Sequence, residues 1–236
     1  MTVRGAVAEK PASLVAPDEA ITVAGSPRRF VSRGGDKLDA AIDRSGVAVE
    51  GRWCLDAGAS TGGFTDCLLR RGAAAVAAVD VGYGQLAWEL RTDPRVTVLE
   101  RTNVRDLKPD DLPFRPELLV ADLSFISLRT ILPTLAGLAS QDAALVLLVK
   151  PQFEAGPRDV GRGGVVRDPD VWRRVLLEVA DAAADAGLAP QAIIPSPLLG
   201  PAGNAEFFRH AARGGGPSSL GVESAIEEAS RTGRAS

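Results

Sequence analysis

From Arg52 onward the chain alternates short, densely apolar runs with longer amphipathic ones. The apolar runs are "RWCLDAG", "AAVAAVDV", "RVTVLE", "ELLVADL", "AALVLLVK", "QAIIPS" and "EFFRHAAR". Each has the length of a strand. The run from Ala143 to Val149 has no polar residue, as expected of a strand buried on both faces. Helical patterns begin near Gly62, Gln85 and Ser127, and another near Asp106 after a short polar segment. "DPDVWRRVLLEVADAAADAG" opens with Asp168 as an N-cap and Pro169 at the first helical position, and stops at Gly187. Earlier in the chain, "DKLDAAIDRSG" reads as a helix from Asp36 that Gly46 ends. This alternation predicts a mostly parallel sheet covered on both faces. Only the loop "PLLGPAGNA" joins the last two strands, too short for a crossover helix, so they are expected to pair antiparallel.

The flanks differ. Residues 1–24 read as short strand pieces broken by Pro11 and Pro17, and 25–35 as a linker to a domain over 36–213. The tail, 214–236, is rich in Gly, Ser and Ala and is expected to be flexible, with one marginal helix in "GVESAIEEASRTG". A chain of 236 residues, 45% hydrophobic, is long and apolar enough for one sizeable core. No run reaches bilayer-spanning length, and Glu9 and Lys10 interrupt the stretch a signal peptide would need, so a cytoplasmic protein without a membrane partner is expected. Cys54, Cys67 and the single His210 are too few for a zinc cluster; no metal is expected, and both thiols read as buried. Trp88 and Trp172 fall on helical patterns and read as packing residues. A net charge of −3 argues mildly against a nucleic-acid partner. Its distribution is more telling: Arg28, Arg29, Arg33 and Lys37 form one basic cluster, Arg158, Arg162 and Arg167 another.

The first long strand runs into "WCLDAGASTGGFTD", a glycine turn opening a helix, where an open α/β sheet binds its ligand. It is no phosphate loop, because Phe64-Thr65 replaces the Lys-Ser/Thr pair, and Ser60 stands where a dinucleotide fingerprint needs its second glycine. Asp56, Gly58, Ser60, Gly62 and Gly63 are left as a wall that approaches a ligand closely without demanding phosphate. Asp80, 24 residues beyond Asp56, ends the second strand of this series beside Val81, where a carboxylate accepts hydrogen bonds from ribose hydroxyls. Asn103, after the third, has an amide suited to an adenine edge. A nucleoside held without phosphate describes S-adenosylmethionine. Tyr83, Phe125 and Phe153 follow strand ends and are candidates to line the cofactor or base pocket.

"SRGGDKL", "LDAGASTGGFTD", "DVGYGQL", "ERTNVRDL", "VADLSFISL", "LVKPQFE" and "GNAEFF" together resemble the TlyA family of rRNA ribose methyltransferases, also described as hemolysins, which share the FtsJ-type core. The match runs in order from about Arg33 to Ala212. The resemblance implies a Rossmann-like, seven-stranded methyltransferase fold ending in an antiparallel hairpin. It also implies S-adenosylmethionine as cofactor, ribosomal RNA or ribosomal subunits as partner, cytidine as target, and a Lys-Asp-Lys-Glu tetrad. The matching residues are Lys37, Asp122, Lys150 and Glu206; Asp122 also borders the cofactor turn. Lys150 ends a wholly apolar strand, where desolvation favours a neutral amine able to act as base. Asp122 ends the neighbouring strand and orients that amine, Lys37 brings a second positive charge, and Glu206 positions the ribose. Residues 1–24 resemble only the closing strands of the family's S4 RNA-binding domain, whose helices have no counterpart here. Two other readings remain: a non-catalytic cofactor or RNA-binding module, and a membrane-active hemolysin.

Overall fold

The computed structural model describes residues 2–4, 6–7, 15–16, 19–22, 28–214 and 221–234. Near the N-terminus β1 (Thr2–Val3), β2 (Ala6–Val7) and β3 (Ile21–Thr22) make a small antiparallel sheet, ordered β2-β1-β3. The main domain follows the predicted alternation: α1 (Arg33–Ser45), β4 (Trp53–Ala57), α2 (Gly63–Arg70), β5 (Ala75–Val79), α3 (Trp88–Arg91), β6 (Val96–Leu99), β7 (Leu118–Ala121) and α4 (Leu128–Leu138). Then come β8 (Ala144–Val149), α5 (Pro151–Glu154), α6 (Pro169–Asp185), β9 (Leu188–Pro195), β10 (Phe207–Arg213) and α7 (Val222–Arg234).

The main sheet has seven strands in the order β6-β5-β4-β7-β8-β10-β9. The first five pair parallel, and β10 pairs antiparallel with both β8 and β9. Because β10 lies between β8 and β9, its start meets the end of β8, with Phe207 opposite Val149. Glu206 therefore emerges beside Lys150. One apolar cluster fills the face under α4, α6 and α7, and a second the face under α1 and α2.

Three expectations change. Helix α1 starts at Arg33, not Asp36: Ser32 caps it by accepting the Gly34 N–H, and Gly46 ends it in the left-handed region. Gly34-Gly35 looks like a break in sequence but serves contact, since a Cβ on Gly35 would lie 2.3 Å from the Phe30 ring. The helix expected near Asp106 is absent; Val104–Asp106 and Pro109–Asp111 make only single 3-10 turns, because Pro109, Pro113 and Pro116 remove N–H donors throughout that stretch. The marginal helix expected in the tail forms over 222–234, but it is packed rather than flexible, burying Ala225, Ile226 and Ala229.

Asp56 lies in β4, an interior strand, on the α2 side, with no exposed surface. One carboxylate oxygen accepts the Thr65 hydroxyl at 2.7 Å and the other has no hydrogen-bond partner. Burial is the main reason its carboxyl is pushed up from 3.8 to about 7; the Thr65 bond opposes the shift and the Asp122 charge adds to it.

Two predictions follow from this packing. A Cβ on Gly63 would stand 2.2 Å from Ser32 Oγ and 2.9 Å from the Gly35 nitrogen, so it would displace the cap of α1. Gly63→Ala is expected to cost about 1–3 kcal/mol, read as a lower urea midpoint. For Asp56, between pH about 4 and about 7 the folded chain holds a proton that the unfolded chain has lost, so stability falls as pH rises through that window. Asp56→Asn is expected to flatten this decline in thermal melting measured against pH.

Candidate active site

The sheet order reverses between β4 and β7, since β4 leads through α2 to β5 on one side while β7 lies on the other. A crevice opens at the carboxyl ends of these two strands. Gly58, at φ +86°, enters it so closely that a Cβ would meet the Asp122 carbonyl oxygen at 2.6 Å. Ser60 is held at φ +48°, a left-handed conformation that costs a non-glycine residue energy and occurs often at functional sites. Its N–H donates to Asp80 Oδ2 at 2.8 Å, and the Gly82 N–H donates to Asp80 Oδ1 at 2.6 Å. Asp80 thus ties the loop after β4 to the loop after β5.

A cavity of about 460 Å³ lies on this side, lined by Gly58, Ser60, Asp80, Val81, Asn103 and Asp122 among others. Val79, Leu123 and Ile126 give it apolar walls. Asn103 Oδ1 accepts the Arg105 N–H at 3.1 Å, which leaves the amide NH₂ free to face a ligand. Asp56 and Gly62, expected as cofactor residues, line neither this cavity nor its neighbour. Asp56 lies beneath the turn, and Gly62, at φ +97°, faces Leu86 and Leu90 where it caps α2.

The neighbouring cavity, about 340 Å³, shares Gly58, Ser60, Asp122 and Ser124 with the first. Lys37, Asp122 and Lys150 line it together, with Arg28 and Arg33 also on its wall. Lys150 Nζ stands 2.5 Å from Asp122 Oδ1 and donates a hydrogen bond to Ser124 Oγ at 3.0 Å. Lys37 Nζ donates to Glu206 Oε2 at 2.6 Å, and the two side chains are only 8% and 1% exposed. Glu206 is the one tetrad residue that does not line the cavity; it stands behind Lys37 and holds it.

The aromatic candidates divide. Phe125 lines the larger cavity, is 91% exposed and meets Phe153 at a ring separation of 5.1 Å. Tyr83 stands outside both cavities with the Arg101 guanidinium 4.3 Å from its ring. Trp88, expected to pack, is 76% exposed because α3 is a single turn; Trp172 is buried and donates to the Val166 carbonyl. Both cysteines are free and buried. Of the second basic cluster, Arg158 and Arg162 lie exposed on the Gly-rich loop, away from the two cavities.

Several residues of the site were not singled out from sequence. Ser124, two positions after Asp122, and Glu154, four after Lys150, sit inside motifs whose other members drew the attention. Buried Glu154 accepts the Leu128 N–H at 2.6 Å and the Ser127 hydroxyl, so it caps α4 from α5. Asn204 is 1% exposed; its side chain accepts the Val166 N–H and donates to the Gly164 carbonyl, fastening the Gly-rich loop to the turn that carries Glu206. Its signal in sequence is only an Asn in a Gly-rich loop.

Known proteins resemble this chain in sequence and fold. The FtsJ-like methyltransferase family model matches residues 30–213. The 16S/23S rRNA (cytidine-2′-O)-methyltransferase TlyA of Mycobacterium tuberculosis is 58% identical over 205 residues, which cover 86% of this chain and 76% of that protein. A crystal structure of a protein described as a hemolysin, from Lactococcus lactis, superimposes with a TM-score of 0.82 at 41% identity, covering 85% of this chain and 98% of that one. An S-adenosylmethionine-dependent methyltransferase from Mesorhizobium loti shares the fold at 16% identity and a TM-score of 0.53, over 74% of this chain and 96% of that one. With the family model spanning most of the chain and a TlyA relative at 58% identity, the chain belongs to the FtsJ-like methyltransferases, in their TlyA branch.

Proposed function

We propose that the chain transfers a methyl group from S-adenosylmethionine to a ribose 2′-hydroxyl of ribosomal RNA, at cytidine. The observation that carries this reading is the convergence of Lys37, Asp122 and Lys150 on one cavity that runs into a second, lined by Asp80 and Asn103. The name of the Mycobacterium tuberculosis relative supports ribosomal RNA and cytidine.

The residues of the larger cavity suit the cofactor. Apolar Val79, Leu123 and Ile126 flank a purine, the Asn103 amide donates to its edge, and the Asp80 oxygens keep lone pairs for ribose hydroxyls beyond the two backbone N–H groups they accept. When bound, S-adenosylmethionine supplies a methyl group made electrophilic by its sulfonium.

The smaller cavity acts on the acceptor. Lys150, once it has shed its own proton, takes the 2′-hydroxyl proton at Nζ. Asp122 holds that amine at the junction of the two cavities. Lys37, fixed by Glu206, presents positive charge to the oxygen as it becomes nucleophilic. Arg28 and Arg33 meet RNA phosphates, so affinity declines with added salt. Much of the acceleration comes from holding the two reactants in line, and the need for a 2′-hydroxyl selects RNA over DNA.

Lys150→Ala is expected to lower methyl transfer from labelled cofactor to ribosomal subunits by roughly a hundredfold or more, while cofactor binding measured by calorimetry stays intact. Undiminished transfer by that variant would remove Lys150 from the role of base. A protein that binds cofactor and RNA yet transfers nothing in its native form would be a binding module.

A further inference from the structure

A neutral lysine amine has two N–H donors and one lone pair. To serve as a base, Lys150 must have its N–H donors held by fixed neighbours and its lone pair aimed at the substrate. Asp122 Oδ1, at 2.5 Å, is the ion-pair partner of that amine but lies outside hydrogen-bond geometry, whereas Ser124 Oγ, at 3.0 Å, accepts a hydrogen bond from it. Ser124 lines both cavities, so it holds the amine where the methyl donor and the ribose must meet. We propose that Ser124 is a positioning residue for the reaction, its hydroxyl accepting the directional hydrogen bond that, beside the Asp122 charge, orients the Lys150 amine. This rests on the reading of Lys150 as the base.

The backbone around Ser124 is built to keep that hydroxyl in place. Phe125 follows at φ +62°, a strained conformation, and its 91% exposed ring offers little burial to offset the strain. The loop is pinned on both sides instead. Before it, the Asp122 N–H donates to the Ala57 carbonyl at 3.0 Å. After it, Ser127 and Leu128 are held by the buried carboxylate of Glu154. The segments carrying Lys150 and Ser124 are therefore joined by two rungs, Lys150 to Ser124 and Glu154 to Ser127. With the second rung intact, losing the first leaves the backbone in place and frees only the amine.

The test compares Ser124→Ala, Ser124→Thr and Lys150→Ala in the full chain. It measures single-turnover methyl transfer to ribosomal subunits and, separately, S-adenosylmethionine affinity by calorimetry. Ser124→Ala is expected to slow transfer roughly tenfold, the scale of one hydrogen bond, with cofactor affinity unchanged. Ser124→Thr, which keeps the hydroxyl at an exposed position, is expected to restore most of the rate. Wild-type transfer by Ser124→Ala beside an inactive Lys150→Ala would overturn the role of Ser124 while sparing the base. Full activity in Lys150→Ala would instead sink the reading beneath it. A drop in cofactor affinity matching the drop in rate would make Ser124 a cofactor contact, and a threonine variant no faster than the alanine one would show that the hydroxyl is not what matters; either result overturns the proposal.

Discussion

Charge at the end of an apolar sheet has to be paired, and the site depends on that constraint. Strand β8 is buried along its whole length and delivers Lys150 at its carboxyl end. An ammonium there is costly unless an acid stands beside it. The neighbouring strand β7 supplies Asp122, and the antiparallel strand β10 on the other side brings Glu206, which binds Lys37 instead. Two cations and two anions thus meet as two pairs, set by strand order and register. The pair farther from the solvent, Lys37 and Glu206, forms the back of the cavity, and the more exposed one forms its working face.

Helix α1 contributes Lys37 only because backbone approaches backbone closely. Gly63 at the head of α2 admits Ser32 and Gly35 at distances no side chain would allow, and Asp66 of α2 accepts the Val31 N–H. The glycine turn after β4 and the helix that carries Lys37 are therefore parts of one packed joint. A shift in either moves both.

Much of this was legible in the sequence. Seven dense apolar runs became seven strands, most plainly in the buried β4, β5, β7 and β8, where burial on both faces leaves little freedom in residue type. Carboxylates at strand ends, Asp80 and Asp122, stood out because each ends an apolar run beside the glycine turn, where an open α/β sheet binds its ligand. Misreadings came where local signals conflict with tertiary ones. Gly34-Gly35 looks like a helix break until Phe30 and Phe64 are packed against it, and the prolines around Asp106 outweigh a helical pattern. Trp88 looks like packing until its helix proves to be one turn long. Glu154, Asn204 and Ser124 were illegible for a different reason. Their partners, Ser127, Val166 and Lys150, lie on other segments, and no spacing rule links them.

The insertion of β10 has a consequence for biosynthesis. The Lys37–Glu206 contact spans 169 positions, and the strand completing the sheet is translated after the other six. Until residues 207–213 arrive, β8 has an unpaired edge and β9 has no neighbour in the sheet. Contacts this distant along the chain form late. A nascent polypeptide can shape its glycine turn while still tethered to the translating ribosome, but it gains its full set of charges only once Glu206 and the strand after it have been made.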